Sequence, residues 1–176
     1  AMLERLSSEY GYRYFVVDKE RDEEGKIISS TYIREMLADG NIIKANKLLG
    51  DYYFVTGTVQ HGNAIGHTKL YPTANLIPPA VKHLPKFGVY VTRGTVDGKT
   101  YGGLTNVGAK PTISGENPVG VETYLYNFEG DLYGKDMKVE LLDFVRPEMK
   151  FESIDALKAQ LDHDIKECQR RYLEFA

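Results

Sequence analysis

The feature that most constrains this fold is residues 52–144, where short β-like segments follow one another with no helical pattern between them. The segments are rich in Val, Tyr, Thr and Phe, and Gly, Pro or Asp residues separate them, which is typical of strands joined by turns. Asp97 and Gly98 predict a tight hairpin between two of the segments. Successive strands without crossover helices favour antiparallel pairing, and the number of strands here favours a closed barrel. The predicted strands are residues 54–59, 70–77, 88–96, 99–107, 121–128 and 137–144.

One long amphipathic helix is predicted after these strands. Residues 152–172 carry apolar side chains three or four positions apart, and Ser153 is placed to cap the N-terminus. Cys168 lies on the apolar face, so we interpret it as a core residue rather than as a catalytic thiol. His163 and Asp164 fall on the other side, which predicts that both are exposed. The apolar face is expected to pack on the barrel.

Two short helices are predicted before the barrel. The first begins near Ser30 or Thr31, either of which offers a hydroxyl as N-cap, and it ends at Gly40. The second ends at Gly50. The predicted architecture is therefore mainly β, with a short helical segment before the barrel and a long helix after it.

The composition excludes several classes of partner. The net charge is −3, so the basic surface that binds nucleic acid is not expected. No run approaches the roughly 18 consecutive apolar residues of a membrane-spanning helix. Cys168 is the single cysteine, which excludes an internal disulfide or a multi-cysteine metal site and fits a reducing compartment. We expect a cytoplasmic protein that binds neither nucleic acid nor membrane.

Thr73 and Asn75 form the first candidate site. They lie in the segment Leu-Tyr-Pro-Thr-Ala-Asn-Leu, where Pro72 favours extended geometry in the residue before it. Because alternate residues of a strand share a face, the Thr hydroxyl and the Asn carbonyl oxygen are predicted to point the same way. Two neutral oxygens suit a small hard cation such as Mg²⁺, whose other ligands are water and phosphate. The alternative is that both side chains bond to nearby backbone at a strand edge.

A glycine-containing segment precedes this pair. Residues 57–66 begin as a strand and then include Gly62 and Gly66, which let backbone amides approach a polyanion closely. The segment matches neither a Walker A loop nor a G-x-G-x-x-G fingerprint. It is compatible with a nucleotide phosphate site, and a simple hairpin turn is the alternative. His61 is interpreted as a structural loop residue, since no second His lies at metal-ligand spacing.

Together these motifs resemble the riboflavin kinase family, in particular the kinase module of bacterial bifunctional riboflavin kinase/FMN adenylyltransferases. The resemblance runs in order over roughly residues 50–175. One departure lies before the Pro-Thr-Ala-Asn signature, where the family commonly has an Arg, a Gly and a Phe and this chain has His67, Leu70 and Tyr71. The matching residues are Gly57-Thr-Val-Gln-His-Gly62, Gly66, Pro72-Thr-Ala-Asn75, Gly88-Val-Tyr90, Asn106-Val-Gly108, Pro111-Thr112, Glu122-Thr123, Leu132-Tyr-Gly134 and Arg146.

The resemblance implies a six-stranded antiparallel Greek-key barrel and a specific activity. That activity is phosphorylation of riboflavin by ATP at the ribityl 5′-hydroxyl, which gives FMN and ADP, with Mg²⁺ as the cofactor. Glu122 is implied as the catalytic base, and Thr73 and Asn75 as the metal ligands. The residues implied in nucleotide or flavin binding are Gly57, His61, Gly62, Gly66, Thr73, Asn75, Asn106 and Arg146.

Glu122 and Arg146 also have simpler interpretations. Glu122 is the one acidic residue in the otherwise neutral segment 121–128, and a Glu on a strand ordinarily faces solvent. Arg146 is equally compatible with a surface ion pair. The residues alone leave both alternatives open, and the resemblance favours the functional roles.

The resemblance also predicts how the chain is divided. Residues 28–34, with Ser29-Ser-Thr and Arg34, resemble the last motif of the adenylyltransferase domain in the bifunctional proteins. Residues 1–50 are therefore expected to be a remnant of that domain with a linker, and residues 51–176 the kinase domain. Because the adenylyltransferase sheet would be missing, we expect no FAD synthesis. The adenylyltransferase half is the expected partner within a full-length protein.

Two other functions remain open from the sequence. One is a non-catalytic flavin- or nucleotide-binding barrel, in which Glu122 is incidental. The other is an interaction module whose exposed apolar residues dock on an absent adenylyltransferase half or cause self-association. A chromatographic search for FMN and a sizing experiment separate these possibilities. The residues expected to be exposed in the interaction module are Ile33, Met36, Leu37 and Leu48.

Overall fold

A computed structural model of the chain describes residues 2–60, 71–109 and 119–175, and its centre is a six-stranded antiparallel sheet that curls into a nearly closed barrel. The predicted mainly-β architecture, with helices before and after the barrel, is confirmed. Within the described ranges, no helix is long and apolar enough to cross a membrane. The strands are β1 (Phe54–Thr58), β2 (Ala74–Leu76), β3 (Gly88–Val96), β4 (Lys99–Ala109), β5 (Val119–Leu125) and β6 (Asp136–Pro147), and the helices are α1 (Met2–Tyr10), α2 (Ser30–Asp39), α3 (Ile42–Leu49) and α4 (Ile154–Tyr172).

The strand order β1-β6-β3-β4-β5-β2 contains a Greek key. Strands β3, β4 and β5 are consecutive neighbours, and β6 returns to lie beside β3, which is the Greek-key arrangement. The two ends of the sheet meet at a bridge in which the backbone N of Gln60 donates to the carbonyl oxygen of Asn75 at 2.9 Å. This bridge brings the chain after β1 against β2 and nearly closes the barrel.

Side chains alternate between the barrel interior and the outer face, as the strand geometry requires. A line of three buried hydroxyls crosses the interior: the Thr105 Oγ1 donates to the Thr92 Oγ1 at 2.9 Å and lies 2.8 Å from the Thr123 Oγ1. These polar atoms are therefore satisfied within the core. The rest of the interior is apolar and includes Val55, Leu76, Tyr90, Val107, Val121 and Leu141.

Helix α4 covers part of the outer face. It packs on β3, β4 and β6, and it buries Cys168 beside Leu104 and Leu142, which confirms the predicted core role of the cysteine. Burial raises the pKa of the Cys168 thiol to about 12, so the thiol stays protonated at neutral pH. Gly102 permits the close approach, because a Cβ at this position would lie 2.9 Å from the Tyr172 ring.

Two register shifts in β6 direct its side chains toward α4. They occur near the start of β3, where β6 is bulged, and bulges change which residues face outward. As a result Asp143 and Arg146 both reach the helix. The Arg171 Nη1 donates to Asp143 at 2.9 Å, and the Arg146 Nη2 donates to Asp164 at 2.6 Å.

Helices α2 and α3 belong to the same core as the barrel. Leu37 and Ile42 lie in the buried cluster that fills the barrel interior, and Leu48 is also buried. Ile33 and Met36 are half-buried and pack against that cluster. The expectation that these apolar residues form an exposed docking face is therefore wrong, because the barrel itself covers them.

A buried amide joins α3 to the barrel. The Asn46 Nδ2 donates to the Leu141 carbonyl at 2.9 Å, and its Oδ1 accepts from the backbone N of Tyr53 at 2.7 Å. The backbone N of Leu141 donates in turn to the Tyr53 carbonyl at 2.8 Å. One side chain thus links a helix, a strand and the segment between them.

The N-cap of α2 differs from the prediction. Ser29 caps the helix rather than Ser30 or Thr31, since the Ser29 Oγ accepts from the backbone N of Tyr32 at 3.2 Å. Ser29 has extended backbone geometry, and the helix begins at the next residue. Three consecutive hydroxyl residues offer three possible caps, and the sequence does not rank them.

Two strands depart from their predicted bounds: β2 is shorter at both ends, and β5 is shorter at its C-terminal end. β2 covers three residues of the predicted segment 70–77, of which Leu70 lies outside the described residues. β5 ends at Leu125, because the chain turns at Asn127, whose φ of 55° is in the left-handed region. The short β2 matters for the site, since it carries Asn75.

The Asn46 linkage gives a stability prediction. We expect Asn46→Ala to lower the free energy of unfolding by about 2–4 kcal/mol, because it leaves a buried backbone N–H and a buried carbonyl without their partner. Chemical denaturation monitored by circular dichroism measures the change. Lys47→Ala on the exposed side of the same helix is the matched control and should cost well under about 1 kcal/mol. Equal losses in the two variants would contradict the linkage.

Candidate functional site

Four residues singled out from the sequence lie in one row across the sheet. Asn75 of β2 lies opposite Glu122 of β5, and Glu122 lies opposite Asn106 of β4. Asn106 lies opposite Val89 of β3, which lies opposite Arg146 of β6. Directly opposite residues of paired strands project from the same face. The register therefore places Glu122 between two Asn side chains that come from other parts of the sequence.

The row is long enough to have two separate ends. Neighbouring strands lie about 4.8 Å apart, so Asn75, Glu122 and Asn106 span about 10 Å. Arg146 lies about 19 Å from Asn75 when the same spacing is followed along the sheet. The first three residues can act on one group of reacting atoms, whereas Arg146 lies three strands beyond Glu122 and its guanidinium contacts Asp164 of α4.

The row lies on the outer face of the barrel, beside the part that α4 covers. Val107 and Val121, which are sequence neighbours of Asn106 and Glu122, point into the buried interior. Leu104, two residues before Asn106, packs in the outer cluster with Cys168 of the helix. Glu122 is half-buried rather than fully exposed. Its carboxylate therefore lies at the border between the α4 contact and open surface.

Asn75 is held in a defined orientation. Its Nδ2 donates to the backbone carbonyl of Thr73 at 3.2 Å, so the amide nitrogen serves the backbone and Oδ1 is the atom with ligand character. Thr73 is the second predicted ligand and directly precedes β2. A neutral amide oxygen and a hydroxyl fit a hard cation that keeps water and phosphate as further ligands. Across the described ranges, no cluster of three or more His, Cys, Asp or Glu residues offers another metal site.

Aromatic side chains lie next to the ligand pair on the same face. Tyr71 packs on Tyr124 with ring centroids 5.2 Å apart, and Tyr124 packs on Tyr126 at 5.8 Å. The Tyr71 hydroxyl also donates to the Asp162 carboxylate of α4. This hydrogen bond is the main cause that raises the pKa of Tyr71 above its ordinary value. The segment before β2 is thus attached to both β5 and the helix.

Arg146 is engaged in an ion pair with α4. Its Nε lies 3.0 Å and its Nη2 2.6 Å from the Asp164 Oδ2, and the Asp164 side chain is 1% exposed. The expectation that Asp164 is exposed is therefore wrong, whereas His163 is exposed as predicted. Arg146 therefore forms the ion pair that the sequence left open as an alternative, although its partner is a buried residue of α4. A role of Arg146 in ligand binding stays a prediction.

The residues predicted to bind nucleotide are only partly described. Gly57 lies on β1 opposite Met137, close to the Leu76 side chain of β2, and it lines an open groove of about 510 Å³ with Asp97 and Asp136. The remaining predictions in this group fall on residues 61–70 and so lie outside the described residues. They are His61, Gly62 and Gly66.

Two acidic residues near the row were not predicted from the sequence to be part of it. A Cβ at Gly108 would lie 1.9 Å from the Glu148 Oε1, so the Glu148 carboxylate occupies the space above this glycine. A glycine inside a strand is the sequence sign of such an approach. Asp164 lies four residues before the buried Cys168, a spacing that places both on one helix face. Its burial could have been predicted from that spacing.

Comparison with known proteins identifies relatives along most of the chain. A family model described as flavokinase, riboflavin kinase, matches residues 49–172. The bifunctional riboflavin kinase/FMN adenylyltransferase of Listeria monocytogenes is 37% identical over 85% of this chain and 47% of its own length. The Haemophilus influenzae protein of the same description is 37% identical over 94% of this chain and 53% of its own. The chain spans about half the length of the curated relatives that it matches.

One solved structure has the same fold along nearly the whole chain. It is a Streptococcus pneumoniae protein described as a macrolide-efflux protein, with a TM-score of 0.81 and 38% identity. The match covers 95% of this chain and 54% of the pneumococcal one. This similarity supports the arrangement of the barrel and its helices.

The buried ion pair gives a second stability prediction. We expect Asp164→Ala to lower the free energy of unfolding by about 3 kcal/mol, because it leaves the largely buried Arg146 guanidinium without its partner. Lys166→Ala, on the exposed side of α4, is the control. The double variant with Arg146→Ala should cost clearly less than the sum of the two single variants, which denaturant titration can measure. Additive losses would show that the pair is not coupled.

Proposed function

Because the chain belongs to the riboflavin kinase family, we propose that it transfers the γ-phosphoryl group of ATP to the ribityl 5′-hydroxyl of riboflavin, giving FMN and ADP. The observation that carries this proposal is the position of Glu122 between Asn75 and Asn106 in one row of the sheet. The adenylyltransferase activity in the relatives' names is not carried over, since the chain spans about half of their length.

In this proposal Thr73 and Asn75 hold the metal that accompanies ATP. Riboflavin kinases use ATP and a divalent metal, and we assign Mg²⁺ here because both proposed ligands are hard neutral oxygens. When bound, the cation would neutralise charge on the phosphates during transfer. The Asn75 Nδ2 donates to the Thr73 carbonyl, and this bond limits rotation of the amide that carries the proposed ligand oxygen.

Glu122 is proposed to accept the proton of the riboflavin hydroxyl. A general base must lie within hydrogen-bonding reach of the proton that it takes. In the row, Glu122 lies one strand spacing, about 4.8 Å, from the proposed metal ligand Asn75, which puts the acceptor hydroxyl and the phosphate within reach of one another. The proton would go to the Glu122 carboxylate as the new O–P bond forms.

Asn106 and Arg146 are proposed to bind flavin on the other side of Glu122. The acceptor hydroxyl lies at the end of the ribityl chain, and the ring system lies at the other end of an elongated substrate. The residues follow the same order along the row, because Asn106 is one strand from Glu122 and Arg146 is three strands from it. Gly57, with His61, Gly62 and Gly66, is assigned to nucleotide binding by the resemblance.

The proposed base gives the sharpest test of function. FMN formation from riboflavin and MgATP, followed by chromatography, should be clear for the wild-type chain. Glu122→Gln keeps the size of the side chain but removes proton acceptance, so turnover should fall by roughly 10²- to 10⁴-fold. Glu129→Gln, an exposed acid beyond the end of β5, is the matched control and should keep full turnover.

The same experiment distinguishes catalysis from binding alone. Riboflavin affinity and the melting temperature of Glu122→Gln should change little, because a base contributes mainly in the transition state. Wild-type turnover in Glu122→Gln would reject the base. Flavin binding without any FMN from the wild-type chain would favour the non-catalytic barrel.

The proposed metal ligands give a separate kinetic prediction. We expect Thr73→Ala and Asn75→Ala each to lower kcat/KM by about a hundredfold or more, since each removes an oxygen that holds the cation. Thr100→Ala, on the exposed hairpin, is the control for removal of a strand hydroxyl. Near wild-type kcat/KM in both ligand variants at ordinary Mg²⁺ would overturn the assignment.

A further inference from the structure

The strand that carries Asn75 has limited support of its own. β2 is three residues long and pairs with β5 on one side, while its other side meets the Gln60 bridge. Thr73 lies before the strand, so the β2 ladder does not fix it. Two oxygens that are to bind one cation must keep a fixed separation, and sites are precise only when a surrounding shell holds the ligands. A further contact is therefore needed in residues 71–73, the lead-in to β2.

Tyr71 makes that contact. It lies two residues before Thr73 and four before Asn75, so in extended chain all three share a face. Its hydroxyl donates to the Asp162 carboxylate, and its ring packs on Tyr124, two residues from Glu122 on β5. One side chain thus joins the lead-in of β2 to the helix and to the strand of the proposed base.

The helix at this point is itself fixed to the barrel. Asp164, two residues beyond Asp162, accepts from Arg146 of β6 and from the Gln160 Nε2 at 2.8 Å. The Asp164 side chain is almost fully buried. Asp162 is therefore part of a helical turn anchored to the opposite end of the row, and its carboxylate offers a fixed acceptor to Tyr71.

We propose that Tyr71 is a positioning residue whose hydrogen bond to Asp162 holds the lead-in of β2 against α4 and thereby keeps the Thr73 and Asn75 oxygens in place for a divalent cation. This inference rests on the proposed function, since the cation is the one that accompanies ATP. Tyr71 acts through its neighbours and not on the reacting atoms. Without the tether the lead-in samples other arrangements, so cation affinity falls, while the fully occupied complex reacts normally.

The test is the Mg²⁺ dependence of FMN formation by Tyr71→Phe, which removes the hydroxyl and keeps the ring. We expect the half-saturating Mg²⁺ concentration to rise about five- to tenfold, with kcat at saturating Mg²⁺ within about twofold of wild type. Asp162→Ala should give the same shift, and the double variant no larger one. Asp162→Asn keeps an acceptor oxygen and should restore most of the affinity.

Tyr12→Phe is the matched control, because the Tyr12 hydroxyl bonds to the Leu3 carbonyl in the N-terminal segment.

A binding measurement separates this inference from the proposed function. Mn²⁺ titrated in the presence of ADP and followed by electron paramagnetic resonance reports cation affinity without turnover. A weaker affinity in Tyr71→Phe than in Tyr12→Phe supports the tether even if no FMN is formed, in which case only the proposed activity fails. Unchanged affinity in Tyr71→Phe overturns the tether, as does a lower melting temperature with unchanged affinity. Absence of Mn²⁺ binding by the wild-type chain also overturns it.

Discussion

The hydrogen-bonded register of β5 between β2 and β4 decides what the candidate site contains. A slip of one residue would move Glu122 into the interior and bring Val121 or Thr123 to the outer face. The interior opposes such a slip, because Val121 packs in the core and the Thr123 hydroxyl lies beside that of Thr105. Burying an unpaired carboxylate would cost several kcal/mol. The core therefore fixes the site indirectly, through residues that have no chemical role in it.

Helix α4 provides the second constraint, and it acts through charge as well as apolar contact. Its buried face carries Cys168, yet the same side presents Asp164 to Arg146 on β6. Buried ion pairs add little net stability over apolar residues, but they require a defined geometry. The bulges in β6 supply that geometry by directing Asp143 and Arg146 toward the helix. The helix is consequently held in one position along the row.

The sequence predicted the elements better than their mutual arrangement. Strand β3 and the Ser153 cap follow from local patterns of side chains and turns, and the structure has them where the patterns indicate, whereas β6 runs three residues beyond its predicted end and so includes Arg146. The row of Asn75, Glu122 and Asn106 could not be derived from local patterns, because it depends on pairing between distant strands. The resemblance had named these residues without showing that they are neighbours.

The errors concern residues whose partners lie far away in sequence. Leu37 and Leu48 look like an exposed apolar face until the barrel is placed beside them. Asp164 is an exception, because its spacing of four residues from Cys168 already indicates the buried face, although its partner, Arg146, is on another element. In the sequence Tyr71 differs from the family only as a departure before the Pro-Thr-Ala-Asn signature, and the acceptor of its hydroxyl, Asp162, lies on α4. For the two leucines and Tyr71, contacts between distant elements decide the environment of the side chain.

Helix α3 and the barrel share one core. The part of the chain that packs together is therefore longer than the part that matches the family model. The family match begins at residue 49, but Ile42, Ala45 and Asn46 of α3 are already part of the barrel's interior or bonded to it. Separation of α3 from β1 would uncover apolar surface and leave the Leu141 carbonyl without the Asn46 amide that donates to it. The body that shares one interior therefore includes both short helices as well as the barrel.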